Sequence, residues 1–475
     1  MAAIDMEYTR LGVTLGACGL AFLIYALVYG RKTPFPLLFL SRQRQSNQTS
    51  VAGLSKRFPP SQRALLAEVA TAASSAVDGL DADFDLSTCP KLTLEIESDY
   101  RCADPATFLF SGFTVGEVRA LGDFPDYAKL SGVPLPGPAR DFNIDNALPR
   151  PYRPFRWPYH QTMSLQKLDT DYWLELEGSY RDRIRQRQAL FAKHGRQVLQ
   201  ALPGSELARK ELVEVVVQFL CARYPRHFQL VNGKTLVNRI LETEHDLATA
   251  EPLHVLLDNV PEDFAIVLRH HETGHYCFRA GIICSAVGWN LGQKIGLSLS
   301  AIHRPVPDYK DKIEFSVDRF FSKMATFNPI QRASWGLEVG QPLYLPSTDP
   351  DFSHRESQNP SLRPEDIFFR VDWQTVRRLP LSGAVVFNFK ALFTPLTEFE
   401  DEPYIPSLVL KVLNEGKENI MRYKGTWHVE HVAKPTLARY ERLQVERGLI
   451  DGQWAPHTLQ ESPFFPGWER KCRLA

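Results

Sequence analysis

The chain reads as an α+β protein. From residue 263 onward it runs through short strand-like stretches, and segments of helical spacing bracket them on both sides. The strict strand–helix alternation of a parallel sheet is missing, which leaves antiparallel strands flanked by helices.

At 475 residues the chain has room for a large core. Lysine plus arginine and aspartate plus glutamate number 55 each, so no net field draws it to nucleic acid. The seven cysteines are odd in number and scattered without a CxxC pair. That spacing argues against a disulfide framework or a zinc ribbon and for a reducing compartment.

Residues 11–30 (LGVTLGACGLAFLIYALVYG) carry no charge and are long enough to span a bilayer as a helix. One basic residue, Arg10, precedes them, whereas Arg31, Lys32, Arg42 and Arg44 follow. The positive-inside rule then places the bulk of the chain in the cytosol. Residues 1–35 are therefore expected to be a single-pass signal-anchor. The basic, proline-punctuated stretch behind it resembles that of microsomal cytochromes P450, which implies the endoplasmic reticulum. Residues 36–150 read as linker and ill-defined sequence, with helical spacing at 62–77 and an extended, proline-rich connector over 134–153. A domain boundary is placed near residue 150, a main domain over 151–450 and a tail over 451–475.

Within the main domain, 171–202 holds one or two helices whose RIRQRQ stretch reads as a solvated basic face. Helical spacing over 205–224 starts at Ser205, a suitable N-cap. Strands are predicted at FAIVL, YCFRAGII, IGLSLSAI, GLEVGQPLYL, IFFRVDWQTV and GAVVFNFKAL, and helices at 316–324, 405–415 and 436–447.

Two histidine motifs carry chemistry. HETGH at 271–275 matches the HExxH pattern of zinc proteases, which needs a helix to put both imidazoles on one face. Here it lies between two strand-like runs with Gly274 at its centre, so a hairpin turn is the expectation. The stretch LSLSAIHRPVPDYKDK (297–312) alternates apolar and small residues like a half-buried strand ending at His303. Pro305 and Pro307 push the residues before them into extended geometry. His303 then reads either as a rigidly presented metal or cofactor ligand with Arg304 and Lys310 beside it, or as a hydrogen-bonded histidine in a strand-end turn.

A set of segments in fixed order resembles the alpha subunit of haem-dependent oxidative N-demethylases and its fungal relatives. They are PFRWPYHQTMSLQKLD, YWLELEGSY, VPEDFAIVL, SAVGWNLGQKIGLSLSAIHRPVP, VDRFFSKM, ASWGLEV, FRVDWQTVRRLPLSGAVVFNFKALFTPL and RYKG, between residues 154 and 425. The resemblance implies a PAS-like antiparallel sheet with flanking helices that holds b-type haem (heme b). It also implies O2-dependent oxidation of a small amine, with electrons from separate flavin or iron–sulfur partners. Carried onto this chain, it makes His303 the axial ligand of the iron. Arg370, Arg377 and Arg378, with Arg304 and Lys310 behind them, become candidates for the propionates. Trp289, Trp335 and Trp373 become candidate pocket walls, and Glu262 a candidate for binding substrate amine. The anchor departs from the bacterial proteins of this type, so a larger, lipophilic metabolite is the alternative substrate. A non-catalytic haem or ligand sensor is the alternative role.

Overall fold

The strand-like runs after residue 263 pair with one another as neighbours in a single antiparallel sheet. The computed structural model describes residues 93–473; the expected anchor at 11–30 and the helical spacing at 62–77 lie outside them. The strands are β1 (Gln166–Lys167), β2 (Leu199–Ala201), β3 (Phe228–Val231), β4 (Thr235–Asn238), β5 (Thr243–Asp246), β6 (Asp263–Arg269), β7 (Tyr276–Ile282), β8 (Ile330–Val339), β9 (Ile367–Arg378) and β10 (Val385–Pro395). The main sheet has the order β1-β8-β9-β10-β6-β7-β2, and β3-β4-β5 form a small separate sheet. The α+β expectation holds in this form.

The helices are α1 (Val115–Leu121), α2 (Tyr127–Ser131), α3 (Tyr180–His194), α4 (Glu206–Arg223), α5 (Pro252–Asn259), α6 (Leu299–Ile302), α7 (Glu314–Lys323), α8 (Ile405–Glu415), α9 (Glu418–Lys424), α10 (Trp427–Glu446) and α11 (Glu469–Arg473). Among the described residues, no helix is long and apolar enough to cross a membrane.

Both faces of the main sheet are covered, so its central strands lose the simple in–out alternation. On one face Trp335, Phe369, Val371 and Trp373 pack against Leu408 and Val409 of α8 and Val429 and Leu437 of α10. Farther along that face, Phe264, Ile266 and Ile282 meet Leu212 and Val216 of α4 and Leu256 of α5. Side chains such as Phe369, fully buried, each contribute about 2–3 kcal/mol through removal from water. The opposite face carries Ala265, Val267, Phe278, Val376 and Val385, and here the 283–324 segment is the cover.

A buried ion pair sets where that cover begins. Arg187 of α3 bonds Asp263, whose carboxylate also accepts the backbone N–H groups of Cys284 (2.9 Å) and Ser285 (2.7 Å). Arg187 belongs to the RIRQRQ stretch, so one member of that basic face is buried rather than solvated.

Three expectations are corrected. The boundary near residue 150 does not separate two cores, because Leu109, Val115, Tyr127 and Ile144 lie in the same cluster as Leu212 and Phe264. The 451–475 tail is no loose end either, since Leu459 and Phe465 are buried beside Phe399 and Leu437. The predicted strand at 295–301 is mostly a turn and a short helix. Gly296 turns out of extended geometry at φ 83°, only Ser298 bridges to β7 at Cys277, and Ser298 then caps α6 by accepting from Ala301 N–H (3.3 Å). A capping serine and a left-handed glycine outweigh a short period-2 pattern.

HETGH forms the turn between β6 and β7, with Gly274 at φ 75° and His270 N–H donating to the His275 carbonyl. Its histidines sit in a hairpin, and no cluster of three or more metal-ligating side chains occurs among the described residues. The zinc-protease reading fails on geometry.

Candidate functional site

His303 is the C-cap of α6. Its Nδ1 lies 2.7 Å from the Leu299 carbonyl oxygen one turn earlier. A carbonyl only accepts, so Nδ1 carries the proton and Nε2 keeps its lone pair. The ring stacks on Tyr309, centroids 4.8 Å apart and planes within 9°. Burial, with the charges of Lys294 and Arg332 added, holds the imidazole well below its usual range, at about 4, so it is neutral at neutral pH. Nε2 makes no hydrogen bond to any of the described residues.

The chain after His303 is a tight turn closed by Val306 N–H on the His303 carbonyl (2.8 Å), in place of the expected extended segment. Asp308 follows in a left-handed conformation, φ 59°. Its carboxylate accepts from Lys417 (2.6 Å) and from Asn419 (3.1 Å) of α9, and pairs with Lys312 (3.1 Å). These partners hold it well below the usual carboxylate range, at about 2. A π-helical turn over Tyr309–Ile313 then leads into α7.

Arg378 braces this cover from the sheet. It donates to Met324 O and Phe321 O at the end of α7, to Gly383 O and to Tyr276 Oη. Arg370 is equally committed, to Asp372, Ser285 O, Pro342 O and Leu343 O. Arg377 lies on the opposite sheet face over the Trp173 ring, 4.2 Å from its centroid. Arg370 and Arg378 are thus engaged by oxygen acceptors and Arg377 by the Trp173 ring, and the three are not gathered around His303. Arg304 and Lys310 flank it in sequence but are exposed. Trp335 and Trp373 pack in the α8–α10 core, away from His303, while Trp289 belongs to the His303 cover. Glu262 is buried at the start of β6, where it accepts from Glu175 N–H (3.1 Å), and burial lifts it to about 7. It is not among the side chains that cluster with His303.

The groups beside His303 were not singled out from sequence. Arg332 projects from β8 on the same face as Ile330, and its desolvated guanidinium makes no hydrogen bond to the described residues; its Nε is cut off from solvent. Lys294 stands 4.0 Å over the Trp289 ring without an ion pair, and burial lowers it to about 8. The buried Tyr309 hydroxyl has no hydrogen-bond partner among the described residues. Arg332 was legible as a charge on the inward face of a strand, and Lys294 lay inside a quoted family stretch.

This layer combines a fixed neutral imidazole, unpaired cations and half-buried phenylalanines, Phe387 and Phe389, on the strand floor. Residues 164–434, more than half of the chain, match the family described as haem-dependent oxidative N-demethylase, alpha subunit-like. This chain belongs to that family. The family name carries haem dependence and oxidative chemistry, and the residues present fit such a group. A histidine that donates its other ring nitrogen to a backbone carbonyl is the usual arrangement of an iron-ligating imidazole. The Arg332 Nε and the Tyr309 hydroxyl are polar atoms with bonds still to make.

Proposed function

We propose that the chain is a haem-dependent oxidase in which His303 Nε2 ligates the iron of a b-type haem held in a PAS-like fold. The single observation that supports this is the His303–Leu299 contact, which leaves Nε2 as the ring's free lone pair. The haem, when bound, supplies O2 activation. The protein's own part is to fix the imidazole tautomer through Leu299, hold the ring flat against Tyr309, and seal the layer beneath α7.

The reaction is oxidative N-dealkylation or hydroxylation of an amine or lipophilic small molecule. A groove of about 670 Å³ beside α7, lined by Met163, Leu165, Phe315 and Phe320 together with Lys167, Arg319 and Lys323, has room for a substrate with an apolar body. No dinucleotide loop or CxxC cluster motif is present in the sequence, so electrons come from a separate flavin or iron–sulfur reductase. The apolar 11–30 segment anchors the enzyme in the endoplasmic reticulum membrane, with the 151–450 domain facing the cytosol and bound to no nucleic acid. Glu262 stays a candidate for binding the substrate amine.

The test is the absorption spectrum of the purified full-length chain supplied with haem. A Soret band that His303→Ala loses or shifts is the expected result. A chain that takes up no haem would sink the reading.

A further inference from the structure

Most buried arginines elsewhere in the described chain have anionic or carbonyl partners, Arg377 over the Trp173 ring being an exception. Arg153 pairs with Glu402, Arg187 with Asp263, Arg370 with Asp372, and Arg378 with three carbonyl oxygens. The cations near His303 break this pattern. Arg332 has no hydrogen bond or ion pair to the described residues, and Lys294 has only the Trp289 ring. Arg156, on the segment leading to β1, lies close enough to act on Arg332 electrostatically and bonds only the Thr162 hydroxyl (2.8 Å).

Lys294 and Arg332 both act on the His303 ring and Arg156 acts on Arg332, so these cations repel their neighbours and lose hydration with no carboxylate bonded to any of them among the described residues. Such a group persists when a ligand supplies the negative charge. Lys294 comes from the cover and Arg332 from the strand floor, so the anion they share lies between the two layers, beside the histidine. The buried Tyr309 hydroxyl adds a donor on the same side.

We propose that Lys294, Arg332 and Arg156 form the cradle for the two propionate carboxylates of the haem. This rests on the haem reading above and reassigns the carboxylate-binding role from Arg370, Arg377 and Arg378. Guanidinium and ammonium groups bind carboxylates with charge-assisted hydrogen bonds, which are strongest where water is excluded. The layout predicts that the cradle selects for the free acid of the porphyrin, while His303 selects for the metal.

The experiment titrates the full-length apoprotein with haem and, in parallel, with haem dimethyl ester, whose propionates carry no charge. The Soret band reports binding. The wild-type chain should bind the free acid at least tenfold more tightly than the ester, since charge-assisted bonds are worth about tenfold or more each. Arg332→Gln and Lys294→Met should each erase most of that preference. Arg332→Lys should keep part of it. His303→Ala should weaken both ligands alike.

Equal wild-type affinity for acid and ester overturns the cradle while leaving the haem reading intact, and that comparison needs no variant to fold. Preference retained in both Arg332→Gln and Lys294→Met also overturns it. No Soret band with either porphyrin removes the haem reading itself.

Discussion

The carbonyl oxygen of Leu299 lies 2.7 Å from Nδ1 of His303, four residues later in the chain. The contact exists because Ser298 caps a helix of a single turn, which brings residue 299 beneath residue 303. It decides which ring nitrogen keeps its lone pair, and so which one a metal would meet.

Removing the cap should therefore be felt at the ligand. Ser298→Ala deletes the acceptor for Ala301 N–H at a cost of about 1 kcal/mol. The expected outcome is faster haem loss to a scavenging apoglobin with little change in the far-ultraviolet spectrum. Unchanged loss kinetics would mean the cap does not orient the imidazole.

His303→Ala should leave a ring-sized space on Tyr309. Added imidazole should then restore the lost nitrogen ligand to a bound haem, seen as recovery of the Soret position. A variant that binds haem as well as the wild type without imidazole would place the axial ligand elsewhere.

Breaking the Arg187–Asp263 pair leaves one charge buried, because both side chains are almost completely enclosed. Arg187→Met should destabilise the fold by about 3–5 kcal/mol, read as a lower urea midpoint. Asp263→Asn should be as harmful or worse, since Asp263 also holds the Cys284 and Ser285 amides. A loss below about 1 kcal/mol in both would contradict this.

Glu262 makes stability depend on pH in a definite direction. Burial raises its folded-state pKa from 4.5 to about 7, so between those values the folded chain holds a proton that the unfolded chain releases. Stability from this group is full below pH 4.5 and declines as pH rises to 7. The loss is on the order of 3 kcal/mol at neutral pH. Glu262→Gln should flatten denaturant midpoints across that window, and an unchanged slope would show that the carboxyl is ionised throughout.

A chain beginning at residue 151 should fail to fold cooperatively. It loses Leu109, Val115, Tyr127 and Ile144 from the common core. Four such side chains represent about 8 kcal/mol of burial, comparable with the net stability of a domain. A sharp thermal transition in that truncation would show the segment to be dispensable.

Much of the architecture was legible where patterns were long. IFFRVDWQTV and GAVVFNFKAL alternate over enough residues to be recognised as strands, and 405–415 has clean helical spacing that α8 reproduces. The 295–301 stretch failed because a few alternating apolar residues are also compatible with one helical turn, and the decision fell to Gly296 and Ser298. Residues 93–150 were misjudged for a different reason. Their apolar residues are sparse, and only tertiary contact with α4 and β6 shows that they complete a core.

The site was legible at one point. The ordered family segments drew attention to His303, but an arginine's identity does not reveal whether carbonyl oxygens already surround it. Arg378 looked like a free cation and is saturated, whereas Arg332, next to a quoted segment, makes no hydrogen bond to the described residues.

The clamp on Asp308 has a consequence for biosynthesis. Its partners Lys417 and Asn419 lie more than a hundred positions downstream. The histidine-bearing turn therefore receives its last restraint only after α9 has left the ribosome. On the haem reading, cofactor insertion would then be a late event, and a chain stalled before α9 would lack the Lys417 and Asn419 contacts to the histidine-bearing turn.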